Sequence, residues 1–537
     1  MAPRKPSWLE VVAAKTKADN AKIPYDWRPG ADITLEAKSR RTIAGDFIEL
    51  LLDDETKKIT AMDAPQLVEN MSNGSLKAVQ VVLAFSKRAA FAHQMSNLLL
   101  EIGFDVALKR AQELDDYFMR HNKVVGPLHG LPVTLKDQFH IKELEPCMAF
   151  VGWIGTFEAF GLLKQITTFS VMPGTRTINF YPQGDPLEDV ANTRSGQQVM
   201  PTVADIMWHS VSTLEIVFKS LISLEPWQSD PYCLPIPWRS EREFNLVKKS
   251  YKPSFGFMPN DGLVTPHPPV ARALSIVQKA LENQGYQLVE WAPPSNNESI
   301  EIHVGCIMNM ESNRNIDQFF RQCPIARGDG CPDAYEAIRL SGEPIVPEVA
   351  HLFPHGKPKP PITLQEYEKV VMHRTDFRAK GRTTGSRRRR GLTLVYITDR
   401  FWMTAADVSD RQTSRSCHFS REPVCCRAAG KILSLSYVEA VRLLFAYTSV
   451  INALDYTLIV IPITFADAKI DTFSSNFQPL TDKDLLNMQS YDPESYHGVP
   501  ASIQLIGRRL DEERLLAMAK LVVKALDEYN QKHDKAV

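Results

Sequence analysis

Residues 126–139, Gly-Pro-Leu-His-Gly-Leu-Pro-Val-Thr-Leu-Lys-Asp-Gln-Phe, deliver a single lysine to the end of an apolar, strand-like run. No other stretch restricts the fold as much. Gly126, Pro127, Gly130 and Pro132 punctuate a short loop ahead of Val133-Thr134-Leu135, a pattern that turns a backbone sharply into a site. A lysine carried inward by such a run is costly unless it is paired or used. Desolvation disfavours the ammonium form and moves the side chain toward a neutral amine that acts as a base, provided its neighbours do not hold the proton on. A lysine followed at once by an aspartate is more often a salt-bridged strand end than a catalytic group. Residue type alone therefore does not assign Lys136.

Composition narrows the class of partner. With 537 residues, 44% of them hydrophobic, the chain has material for a large core, as several average domains or one unusually large α/β unit. Its formal charge of −1, from 62 basic and 63 acidic side chains, gives no electrostatic case for nucleic acid or an anionic membrane as the main partner. Neutral small molecules fit better. The first twenty residues carry basic groups but no apolar core of the signal-peptide kind. The longest apolar run, Tyr456 to Ala466, contains Pro462 and is too short to span a bilayer, so it reads as a buried strand. Eight cysteines are sparse for this length, which favours a reduced, cytoplasmic setting.

The first 120 residues read as helices. The run from Ala64 to Met71 ends in Ser72-Asn73-Gly74-Ser75, a helix stop followed by a new cap. Leu76 to Ala92 and Asp105 to Phe118 have apolar positions at three- and four-residue spacing, faces suited to covering a sheet. Further on, a helix is expected from Ile206 to Ile222 and a strand near Gln287 to Trp291. The run Leu392 to Ile397 (LTLVYI) also has strand character.

The lysine segment, the lead-in WLEVVAAKTKADNAKIPYDWRP, the block Asp261-Gly262-Leu263-Val264-Thr265-Pro266-His267-Pro268-Pro269 and the closing run Tyr496 to Arg509 together resemble the amidase-signature hydrolases, specifically their acetamidase-like branch. The resemblance covers three blocks, 7–158, 195–380 and 436–530. It implies one large domain over 1–537, an α/β/α sandwich with a mixed central sheet covered by helices, in which 1–120 is a helical lead-in. It also implies hydrolysis of a small carboxylic amide to carboxylate and ammonia, with no metal or organic cofactor. The partner is then the small-molecule amide, without nucleic acid or membrane, and a homodimer is the assembly left open. In the family mechanism a neutral lysine, here Lys136, draws a proton from a bridging serine, which activates a nucleophilic serine. His497 matches a histidine with no part in that mechanism and reads as a turn residue before Gly498.

Two intervals, 159–194 and 381–430, depart from the family. The resemblance leads one to expect two glycine- and serine-rich loops, one for each serine. The chain contains no two adjacent glycines, no Gly-x-Ser triplet and only one Ser-Ser pair, Ser474-Ser475. Closely spaced glycines let backbone N–H groups converge on a developing oxyanion, roughly 3–4 kcal/mol of barrier per donor. Loss of both loops removes hydrolysis by this route. Ser170, Ser195 and Ser210 have no sequence feature that sets a base beside them. In the second interval the resemblance leads one to expect a strand running into a proline-rich loop; that loop is missing, and the basic tract Arg382 to Arg390 and RQTSRSCHFSREPVCCRAAG flank the strand-like run Leu392 to Ile397 instead. Cys417-His418 and Cys425-Cys426 are adjacent pairs, not pairs two to four residues apart, so they read as free thiols and not a zinc site. Arg/Ser/Cys-rich text of this kind is what retained intron or shifted-frame sequence produces. Sequencing the transcript is expected to show a message from which this tract is spliced out or shifted. A message encoding it in frame overturns that expectation.

Overall fold

The structure is a computed structural model that describes residues 4–156, 167–168, 176–179, 205–291, 298, 329–386, 393–397 and 450–534. Within these ranges it leaves out positions 41, 136, 138, 140–142, 146, 229–232, 248–251, 347–349, 351, 352 and 359.

The chain opens with seven helices: α1 (Trp8–Ala21), α2 (Ala31–Ser39), α3 (Asp46–Glu49), α4 (Asp54–Thr60), α5 (Ala64–Ser72), α6 (Ala78–Ser96) and α7 (Phe104–His121). Local signals start and stop them. Ser7 and Glu10 form a reciprocal capping box on α1, and Asp53 caps α4 by accepting from the Thr56 N–H. Asn73 and Gly74, the latter at φ +76°, end α5 where the sequence places a stop. α6 has Lys77 at its cap position, so its end is satisfied from elsewhere. The buried Asp115 of α7 accepts from the Ala78 N–H at 2.7 Å and the Val79 N–H at 3.0 Å. α5, α6 and α7 share a core of Leu67, Met71, Val81, Val82, Ile102 and Leu114, and α2 and α3 pack Ala37, Phe47 and Ile48 on Phe91 and Met95 of α6.

Two short strands, β1 (Pro132–Val133) and β2 (Thr167–Thr168), pair in parallel. The remaining strands are β3 (Arg176–Asn179), β4 (Asp205–Trp208), β5 (Ser254–Phe257), β6 (Gln287–Glu290), β7 (Thr393–Ile397), β8 (Leu458–Phe465) and β9 (Pro500–Ile506). They form one mixed sheet in the order β4-β3-β8-β9-β7-β5-β6. β5 is parallel to β6 and β7, whereas β9 is antiparallel to both β7 and β8. Pro462 lies opposite Ser502, and the β8–β9 register slips just after it, between Pro462 and Thr464, at the kind of bulge where strand proline is found.

Helices α8 (Val211–Ser223), α9 (Ser240–Val247), α10 (Pro268–Asn283), α11 (Pro332–Ser341), α12 (Leu364–Ser386), α13 (Asp482–Ser490), α14 (Pro493–Tyr496) and α15 (Glu512–Asp534) complete the order. The main core joins β8 and β9 (Ile459, Ile461, Ile503, Leu505) to Ala273, Val277 and Leu281 of α10 and to Met518 and Val522 of α15. The architecture is α/β, as expected. One element differs: residues 205–208 are strand, and the helix begins only at Val211. Ser210 breaks the apparent helical run by adopting extended backbone and accepting from the Thr213 N–H at 3.1 Å. Both departing intervals contribute to the sheet, with β3 seated between β4 and β8, and β7 between β9 and β5.

One buried acid makes stability pH-dependent. Glu513 is held by Arg239, whose Nε and Nη2 donate at 2.9 and 2.7 Å, but its neighbour Glu512, the first residue of α15, is 4% exposed. Burial pushes the Glu512 carboxyl up to about 7, opposed by its own backbone N–H and reinforced by the Glu513 charge. Because the folded value lies above the unfolded one, this group's favourable contribution is complete below about pH 4.5 and is lost as pH rises through 7. Glu512→Gln is expected to match the parent at pH 4 and exceed it at pH 8 by up to about 3 kcal/mol in urea unfolding. A difference that does not change with pH contradicts this.

Candidate functional site around the lysine loop

The loop before β1 is set by packing against α5 and α6. His129 N–H donates to the Gly126 carbonyl and Leu131 N–H to the Leu128 carbonyl, each at 3.1 Å, which folds 126–131 into consecutive turns. Leu128 and Leu131 are buried in the helical core. Gly130 lies between them at φ +73°, and a Cβ there would stand 2.6 Å from Met71 Sδ and 2.7 Å from Ala78 Cβ. Both the left-handed backbone and the close approach require glycine. His129 is buried, its Nδ1 accepts from the Val125 N–H at 3.3 Å, and burial pushes its pKa down. It is a neutral structural imidazole.

Lys136, the one catalytic residue assigned from sequence, lies outside the described residues, as do Gln138 and His140. Its neighbour Asp137 is described. The Asp137 carboxylate accepts from the Cys147 and Ala149 N–H groups and from Cys147 Sγ, each at 3.4 Å, and its carbonyl accepts from the Met148 N–H at 3.3 Å. Met148 and Ala149 both have left-handed φ, 48° and 62°. The loop after the lysine therefore returns on itself through Asp137. Burial raises the Asp137 pKa, against these hydrogen bonds. Burial and the Asp137 charge push the Cys147 thiol up to about 12, so it is not a ready thiolate nucleophile.

This return loop is fixed from outside by two elements. Lys15 of α1 pairs with Glu101 and Asp19 and stands 3.8 Å from Glu145 within the loop. Glu343, just past α11, accepts from the Val151 N–H at 2.9 Å. A Cβ on Gly152 would lie 2.1 Å from the Ala337 carbonyl oxygen, so backbone meets backbone there. Among the described residues, no group of three His, Cys, Asp or Glu side chains converges as metal ligands do, and no helix is long and apolar enough to cross a membrane.

The serines considered as nucleophiles resolve as follows. Ser210 caps α8, and its hydroxyl donates to the Asp63 carboxylate, which also accepts from Thr213 Oγ1 at 2.6 Å and Trp208 Nε1 at 2.8 Å. Burial pushes the Asp63 pKa up, but these hydrogen bonds outweigh it and hold the carboxyl below its usual range. A carboxylate held below its usual range and occupied by two other donors is too weak a base to activate Ser210, and it serves to tie α5 to α8. Ser170 and Ser195 lie outside the described residues, as do Cys417, His418, Cys425 and Cys426. His497 is half exposed, accepts at Nδ1 from the Ala468 N–H at 3.2 Å and precedes Gly498 at φ +79°, which is the turn role expected.

A model of the amidase family matches residues 80–160 and 188–380, more than half of the chain and including the whole lysine loop. The chain belongs to the amidase family. The acetamidase of Aspergillus oryzae is 29% identical over 599 residues, covering 97% of this chain and 99% of that one, and the acetamidase of Emericella nidulans is 28% identical with 97% and 98% covered. In fold the chain is similar to fatty acid amide hydrolase (TM-score 0.74, 20% identity, 97% and 95% covered) and to a bacterial aryl acylamidase (TM-score 0.57, 11% identity, 87% and 97% covered). The amidase match lapses between 160 and 188 and stops at 380. An alignment of 599 positions against 537 residues leaves at least 62 positions of it with no residue in this chain.

Gly130→Ala is expected to destabilise the fold by about 2–4 kcal/mol, from left-handed strain plus overpacking at Ala78 and Met71. The denaturant midpoint reads this directly. A loss below about 0.5 kcal/mol contradicts the packing described.

Proposed function

We propose that this protein is an amidase by descent, directed at small linear carboxylic amides, with Lys136 as the surviving member of its lysine–serine–serine relay. The observation that carries the reading is the family match across 80–160, which takes in the loop that bears Lys136. The names of the two fungal acetamidases support an acetamide-sized ligand. We further propose one domain over 1–537, with 1–120 as its helical lead-in, and a cytoplasmic location.

A second reading has its own support. The chain lacks any Gly-Gly or Gly-x-Ser sequence, and at least 62 positions of the acetamidase alignment have no residue here. Without the nucleophile or its oxyanion donors, the amine has no hydroxyl to deprotonate and no place to stabilise the tetrahedral oxygen. On this reading the scaffold accepts an amide and does not cleave it. For the sequence as it stands we hold to this second reading.

The test pairs an acetamide hydrolysis assay with a serine-reactive phosphonate probe, each run on the parent chain and on Lys136→Ala. Folded protein with no label and no ammonia release above the uncatalysed rate, in both forms, is the expected result. Labelling and turnover in the parent that both vanish in Lys136→Ala establish a working amidase and overturn the loss of activity. Removal of a nucleophile that acts as part of such a unit costs on the order of 10⁶ in rate, so the two outcomes are far apart.

A further inference from the structure

Three consecutive acids open α15, and they are not held alike. Asp511 accepts from Arg242 Nη1 at 2.7 Å. Glu513 accepts from Arg239 three times: from the backbone N–H at 3.0 Å and Nε at 2.9 Å on Oε1, and from Nη2 at 2.7 Å on Oε2. Both arginines also donate to the Leu510 carbonyl, at 2.6 and 3.4 Å, where the chain turns into the helix with Leu510 at φ +58°. Glu512 lies between the two paired acids. It is buried, and its Oε1 makes no hydrogen bond among the described residues. A carboxyl so placed costs least while it is neutral.

The same two arginines seat α9 on α15. Arg239 immediately precedes α9 and Arg242 is in its first turn, so the contacts that pair Asp511 and Glu513 are also the docking contacts of that helix. A second set of charges joins the helices further along. Lys219 of α8 donates to Glu215 at 2.7 Å and stands 3.4 Å from Glu243 of α9. Lys520 of α15 pairs with Glu215 and stands 3.9 Å from Glu243, which also accepts from Trp238 Nε1 at 3.2 Å. The charged groups around this junction are therefore Arg239, Arg242 and Glu243 from the α9 side, Glu215 and Lys219 from α8, and Glu513, Arg514 and Lys520 from α15. Its approach adds Asp511, Arg508 and Arg509, the last paired with Asp455. α10, β8 and β9 meet α15 through apolar side chains.

We infer that the first turn of α15 is a proton-operated clasp: while Glu512 is protonated the two arginines keep α9 seated, and its ionisation lifts α9 locally without unfolding the sheet. This is independent of the amidase reading. An ionised Glu512 has to reach water or take a share of Arg239, whose Nε and Nη2 already bind Glu513. Either course weakens the contacts that hold α9. Burial pushes the Glu512 carboxyl up, the charges of Glu513 and Asp511 reinforce this and Arg239 opposes it, whereas an open clasp returns the group to the ordinary carboxylate range. A group raised in the closed form favours closure fully at low pH, and that preference is lost as pH rises through about 7.

Hydrogen–deuterium exchange of the full chain, followed by peptide mass spectrometry from pH 5 to pH 8 with intrinsic exchange rates divided out, reads the clasp. Protection of the 240–247 amides is expected to lie below that of β8 and β9, as for a segment that opens by itself. Between pH 5 and pH 8 it is expected to fall by roughly 30- to 100-fold, the range set by one carboxyl moving between about 4.5 and about 7. Glu512→Gln is expected to abolish that fall and keep the protection seen at pH 5. Glu512→Met, which removes the titration with an apolar side chain of similar length, is expected to do the same and keeps the test open should the amide disturb the turn. Protection of 240–247 that ignores pH in the parent, or that falls equally in both variants, overturns the proposal. So does protection of α9 equal to that of β8 and β9, which shows that α9 opens only with the whole fold.

Discussion

The antiparallel ladder between β8 and β9 is the constraint on which the rest of the molecule depends. Its partners run from Leu458 opposite Ile506 to Phe465 opposite Pro500, and Ile459, Ile461, Ile503 and Leu505 are each fully buried. Side chains of this size contribute roughly 1.5–3 kcal/mol apiece on burial. With α10 and α15 packed over it, this pair forms a platform with two open edges. β3 and β4 extend one edge, and β7, β5 and β6 extend the other. The lysine loop is not part of this platform. It is placed instead by α5 and α6, whose contact with Gly130 fixes where β1 begins.

That separation is what the proposed loss of activity requires of the fold. The platform and the helical lead-in are stabilised by apolar packing that involves no catalytic group, so loss of serine-bearing loops need not unfold either. It also bears on the two intervals that depart from the family. Each still supplies a strand to the interior of the sheet, β3 from 176–179 and β7 from 393–397, although neither lies within the matched family segments. Whatever happened to these intervals, strand-forming text remains where the sheet needs a neighbour.

Much of the architecture was legible in the sequence because its signals are local. Periodicity marked α6 and α7, the Asn73-Gly74 stop marked the end of α5, and the run LTLVYI marked β7. The 206–222 segment misled because Ile206, Met207 and Trp208 fit either period. The deciding fact, Ser210 binding Asp63 nearly 150 residues away, has no local trace. The same holds for Asp115 capping α6 from α7, and for the pairing of Lys15 with the return loop. Lys136 was visible as a motif, but Asp137 read only as a nearby charge. Its inward turn onto Cys147 and Ala149 depends on two left-handed residues, Met148 and Ala149, that carry no glycine signal.

The central claim is that an amidase scaffold persists here around a lysine that has lost its hydroxyl partners. A crystal structure of the full chain, with the Lys136 side chain and the 159–204 segment both traced, tests it most directly. The account predicts no serine Oγ within hydrogen-bond reach of Lys136 Nζ and no pair of main-chain N–H groups converging beside it. A serine hydroxyl at roughly 2.6–3.2 Å from that nitrogen, with such donors adjacent, contradicts it.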